Sequence, residues 1–141
     1  MQTVKEVLKK PTRQRNEEEV SRLIQSKSLR ALADVVPADE QVHYVARGMH
    51  NGSLGVIAAT DKRVIFVSKK LVGKVLIDFE YQDVLAAVAA SKIFTSTILI
   101  KHDTDTFIIS LVSRRYGKRI ARFIDDACNE AREAYMKGVK K

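Results

Sequence analysis

Three histidines, one cysteine and one short charged turn are the residues whose types could support chemistry in this chain, and their spacing restricts what that chemistry can be. His43, His50 and His102 fall on separate stretches, and no pair has the i, i+4 helical spacing with which two imidazoles share a zinc ion. His102, Asp103 and Asp105 have ligand side chains, but His102-Asp103-Thr104-Asp105 reads first as an ordinary turn between two strands. Cys128 is the only cysteine, which excludes an internal disulfide and a multi-cysteine zinc site. Its helical spacing from Ile124 and Ala131 makes it a core residue. There is no GxSxG, no Walker lysine loop and no GxGxxG, and Ser53, Ser91 and Ser110 have no identifiable base partner. Thr60-Asp61-Lys62-Arg63 has the composition of an active-site cluster, but a charged turn whose aspartate accepts local backbone hydrogen bonds accounts for the same residues. No nucleophile, metal or cofactor emerges, and the expectation is a protein that binds rather than catalyses.

Charge is the other candidate chemistry. Of the formal net charge of +8, residues 1–36 hold eight basic and five acidic groups, residues 37–112 eight of each, and residues 113–141 nine and four. The excess therefore lies at the two ends. Lys69 and Lys70, followed by Leu71 and Val72, could set apolar tips among lipid headgroups while the lysines meet phosphates. Arg115, Arg119 and Arg122 share one face of a C-terminal helix with Arg114 and Lys118 close by, partly offset by Asp125 and Asp126. These seven basic residues are the candidate contacts for an anionic surface, and ordinary solvated helix and loop faces are the alternative.

The elements that must position these groups follow from periodicity. Asn16 before Glu17, Glu18 and Glu19 suits a helix start, and Val20, Leu23, Ile24, Leu29, Ala31, Leu32 and Val35 carry a helical pattern weakened at Ser26 and Ser28. This predicts two helical pieces or one bent helix, ended by Pro37. From Glu40 the period changes to two, with Val42, Tyr44 and Ala46 on one side of a strand and Gln41, His43 and Arg47 mostly on the other. Asn51-Gly52 suits a tight hairpin turn. Further strands are expected through Leu54, Val56 and Ala58, over 64–67, through Val75, Ile77 and Phe79, and over 85–92, 95–101 and 106–112. Finally, Tyr116, Ile120, Phe123, Ile124, Ala127, Cys128, Ala131 and Tyr135 form one apolar stripe on a long helix, with Ser113 as N-cap and Gly138 as its stop.

Seven short antiparallel strands that curl around one core leave an open end, and a single amphipathic helix is the economical plug. The expectation is an α+β fold: a seven-stranded antiparallel barrel or sandwich over residues 37–138, capped by its C-terminal helix, with an N-terminal helical extension over 1–36. Val36-Pro37-Ala38-Asp39-Glu40-Gln41-Val42, Thr60-Asp61-Lys62-Arg63-Val64-Ile65-Phe66-Val67 and Phe79-Glu80-Tyr81-Gln82-Asp83-Val84 resemble the bacterial pleckstrin-homology family of the YokE-like type. The resemblance spans about residues 36–130 and implies the same barrel-plus-helix fold, in a family of structural and interaction modules. Eukaryotic pleckstrin-homology members that bind phosphoinositides use several lysines and arginines in and beside the first hairpin. Here Arg47-Gly48-Met49-His50-Asn51-Gly52-Ser53 has one arginine and one histidine, so no specific inositol phosphate is expected there.

No stretch reaches the ~20 apolar residues needed to cross a bilayer, and the acid at Glu6 and the missing apolar run do not read as a signal peptide. The expected compartment is the cytoplasm. The sequence thus points to a non-catalytic module that binds a protein partner or itself through a sheet edge or the N-terminal helices. Peripheral attachment to an anionic membrane is the alternative. Weak nucleic-acid binding ranks third, because most aromatics fall on inward faces rather than among the basic residues.

Overall fold

The computed structural model describes residues 16–70 and 73–139. Helix α1 (Asn16–Val35) precedes seven strands: β1 (Val42–His50), β2 (Ser53–Thr60), β3 (Arg63–Lys69), β4 (Lys74–Glu80), β5 (Val84–Ser91), β6 (Thr95–His102) and β7 (Asp105–Ser113). A single 3-10 turn, Tyr81–Asp83, separates β4 from β5, and helix α2 (Arg114–Val139) closes the chain. All neighbouring strands run antiparallel in the order β4-β3-β2-β1-β7-β6-β5. The fold is the expected α+β arrangement, and the sheet is not closed. It divides at the β1/β7 seam, where Met49 faces Ser110 and the Ser110 hydroxyl donates to the Met49 carbonyl at 3.3 Å.

Two cores lie on opposite faces of β1–β3. The inner one gathers Ile57, Phe66, Tyr81, Val84, Ile98, Ile100, Phe107 and Ile109 with Ile120, Ile124 and Cys128 of α2. The second lies under α1, where Ala31 and Leu32 pack on Val56, Ala58, Ile65 and Val67. That is why every residue from Gly55 to Thr60 is buried rather than every other one: β2 is covered on both faces. The serines that weaken the helical pattern do not break α1. Ser28 is buried, and its hydroxyl accepts the Lys69 backbone N–H at 2.9 Å, which ties α1 to β3. The residues before Asn16, and any capping at its side chain, lie outside the described residues.

Two β-bulges overturn parts of the alternation read from sequence. The β1/β2 register slips between Val42 and Tyr44, so Val42 joins the α1 core while Tyr44 and Ala46 face the inner one. His43, expected on the opposite side from Tyr44, instead shares Phe123 with it, at ring separations of 4.6 and 5.6 Å. In β7 the register slips opposite Thr97, and Leu111 adopts a left-handed φ of 59°. This extra residue turns Leu111 outward and lets Val112 follow Phe107 and Ile109 into the core.

The helix stripe is shorter than its sequence pattern. Ile120, Ala121, Ile124 and Cys128 are buried, but Tyr116 and Tyr135 are exposed. Gly117 takes the buried position near the start, so close to Ser96 that any Cβ would collide with it. Ser113 is the last residue of β7, and the Arg114 N–H donates across to the Phe94 carbonyl at 3.3 Å. Gly138 continues the helix without the positive φ that a glycine stop uses.

Candidate functional site

Thr60-Asp61-Lys62-Arg63 forms the tight β2/β3 connection, and its polar atoms are consumed by the fold. The Thr60 hydroxyl accepts the backbone N–H groups of Lys62 and Arg63 at 3.0 and 2.9 Å and donates to Glu40 at 2.6 Å. Arg63 donates to both Glu40 oxygens at 3.1 and 3.2 Å, to Asp78 at 2.8 Å and to the Val35 carbonyl at 2.8 Å. These bonds, led by the one to Glu40, hold its guanidinium above the usual arginine range. One side chain thereby joins the end of α1, the following loop, the β2/β3 turn and strand β4. The aspartate does not accept locally as expected: Asp61 takes the N–H of Gln41 at 3.0 Å, twenty positions away, and Thr60 serves the turn instead. The Tyr81 hydroxyl donates to the Thr60 carbonyl beneath, and burial, followed by the fields of Asp61 and Glu40, raises this phenol far above its usual range.

The histidines are ring partners in three places. His43 lies on Phe123, His50 on Phe107 with its Nδ1 at 2.9 Å from the Ile108 carbonyl, and His102 on Phe79 at 4.4 Å. Among the described residues no three His, Cys, Asp or Glu side chains stand together as a metal site. Cys128 is buried, and burial pushes its thiol up despite the opposing charge of Arg132. A cleft of about 350 Å³ between the β2/β3 turn, the 3-10 turn and α2 is lined by Asp61, Lys62, Glu80, Gln82 and Glu130.

The candidate basic residues are not brought into one patch. Lys69 and Lys70 sit at the β3/β4 connection, at the end of the sheet that carries the Asn51-Gly52 turn, where the Lys70 N–H donates to the Gly73 carbonyl at 3.0 Å. Leu71 and Val72 lie outside the described residues. Arg114, Arg115, Lys118, Arg119 and Arg122 are all exposed along α2, which begins at the far end of β7. At that end the structure places what the sequence reading missed: Ile93 and Phe94 form the tip of the β5/β6 hairpin and are 76% and 85% exposed. The available signal was an apolar pair after Lys92, where a turn between two strands ordinarily takes polar residues.

A second missed feature is the outward face of β5–β7. Val88 pairs with Leu99 and Leu99 with Ile108, which lines three apolar side chains across three strands, with Leu111 beside them. Val88, Ile108 and Leu111 are about half exposed. The sheet edge at β5 is partly blocked, because Asp125 accepts the Ala87 N–H at 3.1 Å and Arg132 donates to the Leu85 carbonyl at 2.8 Å. No described helix is long and apolar enough to cross a membrane.

The sequence profile of the Bacterial PH domain family matches residues 36–126. Among solved structures, a DUF1696 family protein with a pleckstrin-homology domain from Shewanella loihica superposes with a TM-score of 0.50 at 14% identity, over 70% of this chain and 91% of that one. The C-terminal domain of an unknown protein from Leishmania infantum gives a TM-score of 0.42 at 20% identity, over 89% of this chain and all of that one. No curated protein matches the sequence.

Proposed function

The chain belongs to the bacterial PH domain family, and we propose that within it this protein is a non-catalytic binding module that acts by protein–protein contact, self-association included. The observation that carries the reading is the Val88–Leu99–Ile108 row. The outer face of β2 and β3 is covered by the chain's own α1, whereas the equivalent face of β5–β7 has no covering element among the described residues. A contiguous apolar face of this kind marks an interaction surface. The strand-addition route is narrower than the sequence alone suggests, since α2 side chains occupy backbone groups of β5 and leave β4 as the open edge. The test is Ile108→Glu, a charge placed mid-row on an exposed position. Light scattering over a concentration series should show an associated parent and a monomeric variant, with circular dichroism and the denaturation midpoint unchanged. A variant whose mass at every concentration equals that of the parent refutes the reading.

A second reading, peripheral attachment to an anionic surface, rests on Arg114, Arg115, Lys118, Arg119 and Arg122 being exposed on one helix. Lys69 and Lys70, at the other end of the sheet, would act separately.

A further inference from the structure

The β5/β6 hairpin ends in the sequence Ser91-Lys92-Ile93-Phe94-Thr95, with the Lys92 N–H donating to the Thr95 carbonyl at 2.7 Å to close the turn. That short closure leaves Ile93 and Phe94 projecting with no core contact to explain them, and they are the two most exposed large apolar residues among those described. A turn needs neither residue for its backbone, and polar side chains would cost nothing there. The first turn of α2 buttresses the tip: its Arg114 N–H donates to the Phe94 carbonyl, its Arg114 guanidinium to the Ile93 carbonyl at 3.3 Å, and Gly117 backs onto Ser96.

The charge around this tip is one-sided. Residues 88–98 contain Lys92, residues 106–124 contain Arg114, Arg115, Lys118, Arg119 and Arg122, and neither segment contains an acid. Arg114 and Arg115 moreover stand at the start of α2, where the helix dipole is positive and no acid is present in the first turn. Cations at that end disfavour the helix, so helix stability does not account for them, whereas an anionic surface laid against the tip would offset that repulsion.

We propose that the Ile93-Phe94 tip inserts into the headgroup region of an anionic lipid bilayer while Lys92, Arg114, Arg115 and Lys118 meet the lipid phosphates. This inference rests on the peripheral-attachment reading and names its inserting element. The apolar tip and the basic collar are the two complementary parts that a single peripheral contact requires, because neither charge nor one small apolar contact alone holds a protein at a bilayer. The tip is carried on a hairpin closed by its own backbone bond and braced by α2, so its insertion needs no rearrangement of the fold.

The test is co-sedimentation with vesicles of equal parts phosphatidylcholine and phosphatidylglycerol, and with phosphatidylcholine alone, across a salt series. The parent should bind the anionic vesicles at low salt and not the neutral ones. Ile93→Ser with Phe94→Ser should lower the partition at least about tenfold. Arg115→Gln with Lys118→Gln should lower it by a similar factor at low salt, the loss shrinking as salt rises. Phe94→Trp should shift its fluorescence to the blue on anionic vesicles alone, and Tyr135→Ser, at an exposed apolar position outside the tip, should bind as the parent does. Full binding by the folded tip variant, or an unshifted Phe94→Trp on bound protein, overturns the insertion while leaving the attachment reading in place. A parent that binds no vesicle overturns both. Loss of self-association, rather than of vesicle binding, in the tip variant assigns the tip to protein docking, and competition by a single-stranded oligonucleotide that abolishes the fluorescence shift assigns it to nucleic acid; each result overturns the proposal.

Discussion

Replacing Glu40 with glutamine tests whether one buried carboxylate holds α1 against the sheet. The Glu40 side chain is 2% exposed and that of Arg63 22%, whereas the second acid on Arg63, Asp78, is 49% exposed. Glu40 accepts from the Thr60 hydroxyl and from two Arg63 nitrogens. In Glu40→Gln one amide oxygen can keep the Thr60 and Arg63 Nε bonds, but the amide N–H₂ must then face the remaining Arg63 nitrogen, donor against donor. A charge-assisted bond is worth about 1.5–3 kcal/mol, and relief of the carboxylate's desolvation returns part of that, so the net loss is about 2 kcal/mol. Asp78→Asn removes one contact of a half-exposed pair and should cost less than about 1 kcal/mol. With a denaturant slope of about 2 kcal/mol/M, Glu40→Gln lowers the urea midpoint by about 1 M and Asp78→Asn by a few tenths. The Asp78 effect should fade in high salt, and the Glu40 effect should persist, because a buried pair is poorly screened. Equal shifts for the two variants, or a loss at Glu40 that salt erases, would refute the reasoning.

Other expectations follow from burial and backbone geometry. Ile124→Ala, fully buried between α2 and the sheet, should cost about 2–5 kcal/mol, while Tyr116→Ala, at an exposed position of the same helix, should shift the denaturation midpoint little; reversed sensitivities would show that the other face of α2 packs on the sheet. Tyr81 ionises at higher pH in the folded protein than in the unfolded chain, so its contribution to stability is present below the unfolded phenol pKa of about 10 and is lost as pH rises beyond it. Tyr81→Phe should therefore flatten the fall in thermal midpoint above that pH, and an unchanged slope counts against the burial argument. Leu111→Gly should relieve the left-handed backbone and stabilise the fold by about 1 kcal/mol, read as a higher denaturation midpoint, and a destabilised variant would show that the exposed Leu111 side chain has packing worth more than the strain.

Much of this fold could be read from residue order alone. The switch from a period of 3.6 to 2 after Pro37, and back at Arg114, separates helix from strand because side-chain direction follows the backbone repeat locally. Asn51-Gly52 marks its hairpin because its backbone φ values, 48° and 77°, are ones those residues tolerate. The exposed basic face of α2 follows from the same local geometry. Other features depended on tertiary structure. A bulge inserts one residue and reverses the face of all that follow, so Val42 and Tyr44 part company, as do Ile109 and Leu111, although their alternation in sequence is unbroken. Whether an apolar row is core or surface is likewise set by what lies over it: α1 buries Val56, Ala58, Ile65 and Val67, while Val88 and Ile108, no less apolar, stay exposed. The Ile93-Phe94 tip became a candidate site only when the start of α2 came beside it, across some twenty residues of chain. Local periodicity determines which way a side chain points from its own backbone, and only the packed chain determines what it meets there.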